Sequence, residues 1–195
     1  MKRQIVLPAL LLFLATQMEA QKKWVETSKG GFNLIENNGG QTLGYSPKSG
    51  VKILTVDGLA FKDLNKNGKL DLYEDWRKPV AERAQDLAKK MTVNQIAGLM
   101  LYSRHQSVPA ASAGYFAGSY NGKPFSKGDA KSSDLSDQQR TFLTTDNLRH
   151  VLMTSVENPT VSALWNNNVQ ELVESIGMGI PANNSSDPRH GANKD

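Results

Sequence analysis

A dense cluster of oxygen-bearing side chains lies between Asp63 and Glu74, in the twelve-residue segment DLNKNGKLDLYE. Gly68 stands at position 6, where the calcium loop of an EF-hand turns sharply, and Lys69 at position 7 offers its backbone carbonyl. Ca²⁺ prefers six to eight oxygen ligands, and a chain with this spacing can wrap around one ion. The segment therefore predicts a calcium site formed by Asp63, Asn65, Asn67, Lys69, Asp71 and Glu74.

The flanks of this segment differ from those of a full EF-hand. Residues 56–62 contain Gly58 and do not have a helical pattern, and the sequence holds only one such loop. The alternative is a polar turn whose Asn, Asp and Gly residues serve the backbone conformation alone. If calcium binds, three carboxylates and two amides predict a structural site of modest affinity, with a Kd of ~10⁻⁴–10⁻³ M.

The elements around this loop are predicted from hydrophobic spacing. Residues 21–50 are polar and rich in Gly and Asn, which predicts an extended or weakly structured lead-in, and residues 51–56 alternate like a short strand. Pro79 and Thr92 each precede a segment with helical spacing, and Gln95 completes a capping box with Thr92. The two helices are expected to carry apolar faces. Residues 103–139 show no sustained period and predict a long surface loop.

The last third of the chain has the pattern of a strand, a helix and a second strand. Residues 149–156 resemble a buried strand, and Asn158 followed by Pro159 is a helix start. Apolar residues then recur on one helical face, and a second strand-like segment begins at residue 180. This order predicts a βαβ unit in a parallel sheet, and thus an α/β fold. The face comprises Val161, Trp165, Val169, Leu172 and Ile176.

The first twenty residues have the layout of a secretory signal peptide. Lys2 and Arg3 precede an apolar run of about ten residues, half of the ~20 that span a bilayer. A small residue, Ala20, marks the expected cleavage point. We therefore expect a signal peptide over 1–20, a secreted or periplasmic protein, and no permanent membrane anchor.

Composition excludes several other classes of function. The chain has no cysteine, so thiol chemistry and disulfides are excluded. Its formal net charge of +4 falls to +3 when Lys2, Arg3 and Glu19 are removed with residues 1–20. The basic residues are scattered rather than clustered, so we expect no nucleic-acid partner.

Three strings near the end of the chain carry a resemblance to a known family. The segments WNNNVQ at 165–170, GMGIP at 177–181 and SSDPRHG at 185–191 resemble the start of the barrel of glycoside hydrolase family 3. There a helix, a Gly-Ile-Pro step and a strand lead to an Asp-x-x-His-Gly motif. Residues 89–100 resemble the opening helix of the same barrel. The resemblance implies a (β/α)₈ TIM-type barrel beginning within residues 56–195, after a lead-in over 21–55 and including the loop over 63–74.

The resemblance also implies a reaction, namely retaining hydrolysis of β-linked glucosides or oligosaccharides. By this resemblance Asp187 binds hydroxyl groups of the sugar, while the nucleophile and the acid/base lie beyond residue 195. The flanks Ser185-Ser186 and Pro188-Arg189 differ from many members, although Asp187, His190 and Gly191 keep their register. We therefore expect no catalytic residue in this chain, no hydrolysis by it alone, and a need for a missing C-terminal part of the same protein.

Other candidate residues have weaker support. Asp134, Asp137 and Asp146 lie in or near the long polar segment, and no pairing between them is indicated. Asp187 itself has the alternative of a turn carboxylate before Pro188, and His150 is expected to be packed or paired. A secreted, non-catalytic calcium-binding interaction module is the alternative for the whole chain, but it does not account for the strings between 165 and 191.

Overall fold

The computed structural model describes residues 21–186. The expected signal peptide and the motif residues Asp187, His190 and Gly191 lie outside the described part. Within it the chain forms ten strands and four α-helices, together with short 3₁₀ turns at Pro47–Ser49 and Phe125–Lys127. The strands are β1 (Trp24–Lys29), β2 (Phe32–Asn37), β3 (Thr42–Tyr45), β4 (Lys52–Val56), β5 (Leu59–Asp63), β6 (Gln106–Val108), β7 (Ser119–Tyr120), β8 (Lys123–Pro124), β9 (His150–Val156) and β10 (Asn183–Ser186). The helices are α1 (Val80–Lys90), α2 (Val93–Leu99), α3 (Asp137–Thr144) and α4 (Pro159–Ser175).

The lead-in is more ordered than its composition predicts. Strands β1, β2 and β3 form an antiparallel meander, and Gly30 and Gly31 at φ 57° and 98° make its first turn. Ile35 on the central strand is fully buried. The Asn37 side chain accepts a hydrogen bond from the Ala60 amide at 2.7 Å and so joins the meander to the next hairpin. The extended conformation was expected, but weak structure was the wrong expectation, because side chains on β2 find buried partners in other elements.

The strand predicted over 51–56 is confirmed as β4. It pairs with β5 in an antiparallel hairpin whose turn is Asp57-Gly58, with φ of 56° and 83°. Positive φ at both turn residues suits the right-handed twist of paired strands, and Asp-Gly is a favoured sequence for such a turn. Strand β5 ends at Asp63, so the hairpin delivers the chain directly into the segment 63–74.

The predicted βαβ unit is confirmed. Strands β6, β9 and β10 form a parallel sheet in the spatial order β10-β9-β6, with α3 between β6 and β9 in the chain and α4 between β9 and β10. Neighbours in sequence are therefore neighbours in space, as in a repeated β/α arrangement. The described residues form a mixed α/β structure with these three parallel strands and no closed barrel.

The core lies between this sheet and helices α3 and α4. Asn158 caps α4 by accepting a hydrogen bond from the Val161 amide at 3.0 Å, as its position before Pro159 predicts. Every third or fourth residue of α4 then faces the sheet, which is the spacing of one helical face. The buried cluster comprises Val108, Leu135, Leu143, Leu148, Val151, Trp165, Val169, Val173 and Ala182.

The long surface loop predicted over 103–139 is only partly correct. Strand β6, the β7–β8 hairpin and the start of α3 lie inside that range. A complete capping box begins α3, since the Ser136 hydroxyl accepts from the Gln139 amide and the Gln139 side chain accepts from the Ser136 amide. Phe125 and Leu135 are buried and fix the remainder of the segment.

The two helices before the parallel sheet leave apolar side chains in solvent. The capping box predicted at Thr92 and Gln95 is present at the start of α2. Yet α1 contains no buried residue, and Val80, Val93 and Met100 are 77%, 81% and 82% exposed. The apolar faces are thus unpaired within residues 21–186. No helix in that range is both long and apolar enough to cross a membrane.

Candidate functional site

The carboxyl ends of the three parallel strands define one candidate site. Strands β6 and β9 end side by side, with Val108 opposite Val156, and β10 runs parallel to β9 until Ser186, which is opposite Met153. Enzymes with repeated β/α units place their binding groups at this edge of the sheet. Ser186 is the last described residue, so the position of the Asp187 side chain lies outside the structure.

Several contacts fix the strand that leads to Asp187. The Asn183 amide donates to the Arg149 carbonyl at 2.7 Å, and the Ser185 hydroxyl lies 2.7 Å from the Tyr102 hydroxyl. One residue earlier, the Gln170 side chain bonds both the amide and the carbonyl of Ala182, at 3.1 and 2.9 Å. The backbone approaching Asp187 is therefore held by α4 on one side and by β9 on the other.

The segment 63–74, called here the calcium-type loop, folds as a closed turn. Asp63 is 1% exposed, and its two carboxylate oxygens accept hydrogen bonds from the amides of Asn67 and Gly68 at 3.0 and 2.9 Å. Glu74, 4% exposed, closes the other end by accepting from the Leu64 and Asp71 amides at 2.7 and 2.9 Å. The carboxylates at positions 1 and 12 of the loop thus both accept hydrogen bonds from backbone amides of the same loop.

The middle positions of the loop meet at one carboxylate oxygen. The amide nitrogens of Asn65 and Asn67 donate to Asp71 Oδ2 at 2.6 and 2.7 Å. Lys69 is exposed. The predicted residues are therefore neighbours in one loop, but amide N–H groups occupy the lone pairs of Asp71. Within residues 21–186, no group of three or more His, Cys, Asp or Glu side chains is arranged to hold a metal ion.

The electrostatics of the loop follow from burial and from these hydrogen bonds. Burial raises the pKa of Glu74, although three backbone amides oppose the shift. Burial also acts to raise the pKa of Asp71, but the hydrogen bonds from Asn65, Asn67 and Lys90 outweigh it and lower that pKa. The donor set is hard and consists of oxygens, and Oδ1 of Asn65 and of Asn67 accept from the amides of Asn67 and Lys69 at 3.1 and 2.8 Å. The residues therefore have the chemistry that calcium requires.

A cavity of about 470 Å³ lies between the N-terminal meander, the calcium-type loop and α4, away from the carboxyl edge of the parallel sheet. It holds two carboxylates that sequence reasoning missed, Glu171 and Glu174. The Ser46 hydroxyl donates to Glu171 at 2.6 Å, the Ser46 amide donates to Glu174 at 3.1 Å, and Lys62 pairs with Glu174 at 2.7 Å. These groups are occupied in fastening the meander to α4. Their i, i+3 spacing on the helix was the signal available in the sequence.

The histidines and the remaining acids do not assemble a catalytic group within the described residues. His150 stacks on Tyr102 with 5.5 Å between ring centroids, which confirms the expectation that it is packed, and His105 meets Tyr115 edge to face. Asp137 accepts hydrogen bonds from Ser119 and from backbone amides of the β7–β8 hairpin. Asp134 accepts from the Lys131 amide. Each of these groups has a structural contact of its own.

Comparison with known proteins gives relatives of a single kind. The chain is 41% identical over 140 residues to a periplasmic beta-glucosidase/beta-xylosidase of Dickeya chrysanthemi, which covers 72% of this chain and 19% of the relative. It is 26% identical over 125 residues to a probable beta-glucosidase C of Aspergillus oryzae, covering 64% of this chain and 17% of the relative. No protein-family model matches the chain. The chain thus spans about a fifth of the length of these relatives.

Proposed function

The chain belongs to glycoside hydrolase family 3, and from that membership we propose that it forms the N-terminal part of an exported, retaining β-glucosidase-type hydrolase. The substrates are β-linked glucosides or oligosaccharides. The Dickeya relative is named as a periplasmic enzyme, and the charged and apolar pattern of residues 1–20 supports export of this chain as well. The expected location is the periplasm or the medium.

The observation that carries the proposal is the placement of strand β10. It runs parallel to β9 as far as Ser186, which is opposite Met153, and points toward the carboxyl edge of the sheet; Asp187 is the next residue in the chain. A carboxylate at this edge can accept two sugar hydroxyls as charge-assisted hydrogen bonds. In the proposed enzyme Asp187 binds and orients the sugar.

Bond cleavage in this proposal belongs to residues outside the chain. A retaining glycosidase needs two carboxyl groups about 5–5.5 Å apart, one as nucleophile and one as acid/base. Glu171 and Glu174 lie one turn apart on α4, away from the carboxyl ends of the strands. Ser46 donates hydrogen bonds to both carboxylates, and Lys62 forms an ion pair with Glu174. We therefore propose that the remaining four fifths of the family's length supplies both catalytic carboxyls.

The calcium-type loop is proposed as a structural metal site. Asp63, Asn65, Asn67, Asp71 and Glu74 would offer side-chain oxygens, and Lys69 its carbonyl. When bound, the ion would supply charge neutralisation for three carboxylates in one turn. A calorimetric titration with calcium should release or absorb heat, and calcium should raise the melting temperature of the chain. If neither change is observed, the loop does not bind calcium.

Hydrolysis and sugar binding test the main proposal separately. The 195-residue chain should not release the chromophore from a chromogenic β-glucoside, and turnover by this chain would refute the placement of the catalytic carboxyls elsewhere. Glucose should bind the chain, and Asp187→Asn should weaken that binding about tenfold through loss of a charged acceptor. Ser186→Ala serves as the neighbouring control with little change. Equal affinity of Asp187→Asn and the unaltered chain would remove Asp187 from the site.

A second candidate function is a secreted, non-catalytic calcium-binding module that attaches to a protein or glycan. The spacing of oxygen-bearing side chains in the calcium-type loop supports it. Calcium binding combined with no glucose affinity would select this candidate. Continuation of the gene into an Asp nucleophile motif would select the hydrolase.

A further inference from the structure

The calcium-type loop touches the turn between α4 and β10, residues 176–181, called here the α4–β10 turn. The Lys66 ammonium donates to the Ser175 carbonyl at 2.6 Å and lies 3.4 Å from the Glu174 carbonyl. Both carbonyls belong to the last turn of α4, where backbone acceptors have no partner within the helix and a cation is favourable. The loop therefore supplies a charged cap for the helix that precedes β10.

Two further residues of the loop reach the same turn. Gly179 has φ 63°, and a Cβ built on it would lie 2.9 Å from the Leu64 Cβ, so the two backbones approach as closely as glycine allows. The Tyr73 hydroxyl donates to the Met178 carbonyl at 3.4 Å. The contact is thus distributed along the loop, at positions 2, 4 and 11.

These contact residues alternate with the proposed metal ligands. Leu64 lies between Asp63 and Asn65, Lys66 lies between Asn65 and Asn67, and Tyr73 precedes Glu74. A change in how the ligands fold must therefore move the contact residues, because they share the same backbone. The α4–β10 turn is in contact with the part of the chain that a bound ion would hold.

We propose that the calcium-type loop positions the α4–β10 turn, and through it the start of β10, with Lys66 as the principal positioning residue. On the opposite side the Arg149 guanidinium fixes the turn by donating to the Ile180 carbonyl at 3.0 Å. The inference depends on the proposed function only for the role of Asp187, the residue that follows β10 in the chain. The mechanical link between loop and turn is independent of hydrolysis.

The conformation of Lys66 makes it a suitable test position. Its φ of 60° is in the left-handed region, which a non-glycine residue occupies only when its surroundings hold it there. Lys66→Ala removes the ammonium group but keeps a Cβ, so the positive φ at this position stays as unfavourable as it is for lysine. Lys66→Gly removes the ammonium and also relieves the backbone, so it keeps the loop conformation accessible if the alanine variant folds poorly.

Hydrogen–deuterium exchange of the 195-residue chain measures the effect directly. In both variants the amides of residues 176–186 should exchange about tenfold faster, the scale of losing one charge-assisted hydrogen bond. Lys66→Arg should restore slow exchange because it retains a donor of similar reach. Lys89→Ala, which removes an exposed lysine from α1, is the matched control and should leave these amides unchanged. Unaltered exchange at 176–186 in Lys66→Ala and Lys66→Gly would overturn the proposal.

Calcium alone serves as a second probe of the same link. Millimolar calcium should slow exchange in the loop and in the α4–β10 turn of the unaltered chain, but only in the loop of Lys66→Gly. Protection of the loop with no change at the turn of the unaltered chain would contradict the proposal. A failed glucose-binding or hydrolysis assay would not alter any of these exchange rates, so it would count against the proposed function alone.

Discussion

At the scale of single residues, Arg149 stands out as a cation inside the protein. It is 6% exposed, and its guanidinium donates to the carbonyls of Ile180, Leu143 and Leu148 at 3.0, 2.8 and 2.8 Å. No ion pair to Arg149 is present among residues 21–186. Burial lowers the pKa of its side chain. Two carbonyls just before Arg149 in the chain and one that lies 31 positions away thus share one side chain as donor.

Arg149→Met should lower the free energy of unfolding by roughly 2–4 kcal/mol, because the three carbonyls would be buried without donors. Methionine keeps most of the apolar stem, so lost packing contributes little. Arg140→Met is the control, since Arg140 is exposed on α3 and should change stability by less than about 0.5 kcal/mol. Urea unfolding of the two variants measures both values. Equal midpoints would show that solvent satisfies the carbonyls.

Asp137 makes stability depend on pH. The Ser119 hydroxyl and the Gly122 and Asn121 amides hold the pKa of this carboxyl below its usual value. Its stabilisation is therefore complete above the unfolded-state pKa, near 4, and is lost as the pH falls through the lower folded-state value. Asp137→Asn should cost about 1 kcal/mol at pH 7, and less in acid. Thermal melts of both proteins at two pH values check this; a difference independent of pH would contradict it.

At the scale of elements, Gln139 joins α3, α4 and β6. It is 1% exposed, its Oε1 accepts from Trp165 Nε1 at 3.1 Å, and its Nε2 donates to Gln106 at 3.3 Å. Gln139→Leu should destabilise the chain by about 2 kcal/mol by leaving the indole N–H and the Ser136 amide unpaired. Arg140→Leu, on the exposed side of the same helix, should cost less than half as much. Near-equal denaturation midpoints for the two variants would show that the hydrogen bonds of Gln139 do not stabilise the packing of these three elements.

The sequence predicted the elements whose signals are local. Spacing and the Asn158–Pro159 cap identify α4, and a β-branched alternation identifies β4. Helix α3 has a capping box at Ser136 and Gln139 like that at Thr92, but its eight residues hold too few apolar positions to show a period. The meander is missed because it depends on pairing between strands rather than on propensity.

Within the candidate sites, too, the sequence predicts residues that are close in the chain but not contacts between distant segments. The calcium-type loop is contiguous, so its residues can be read from spacing alone. The contacts of Lys66 with the end of α4, and those of Ser46 with Glu171 and Glu174, join residues more than 100 positions apart. No local pattern announces such pairs. They become visible only when the elements are packed together.

At the scale of the whole molecule, the described part has open apolar and hydrogen-bonding surfaces. Strands β6 and β10 are the outer strands of the parallel sheet, and each leaves one backbone edge unpaired by another strand within residues 21–186. The exposed faces of α1 and α2 are apolar at Val80, Val93 and Met100. Unprotected edges and exposed apolar faces are the usual origin of self-association. In the proposed enzyme these surfaces would be covered by the rest of the polypeptide.

The 195-residue chain should therefore self-associate in solution, and α2 offers a direct test. Val93→Lys replaces an 81% exposed apolar side chain by a charge and should shift the protein toward monomer. Asn94→Lys adds the same charge on the next, exposed residue without removing apolar surface, so it should leave the association nearly unchanged. Size-exclusion chromatography with light scattering distinguishes these outcomes. If both variants shift the protein equally toward monomer, net charge and not the apolar face controls association. If the unaltered chain is monomeric at high concentration, the apolar faces of α1 and α2 do not drive association.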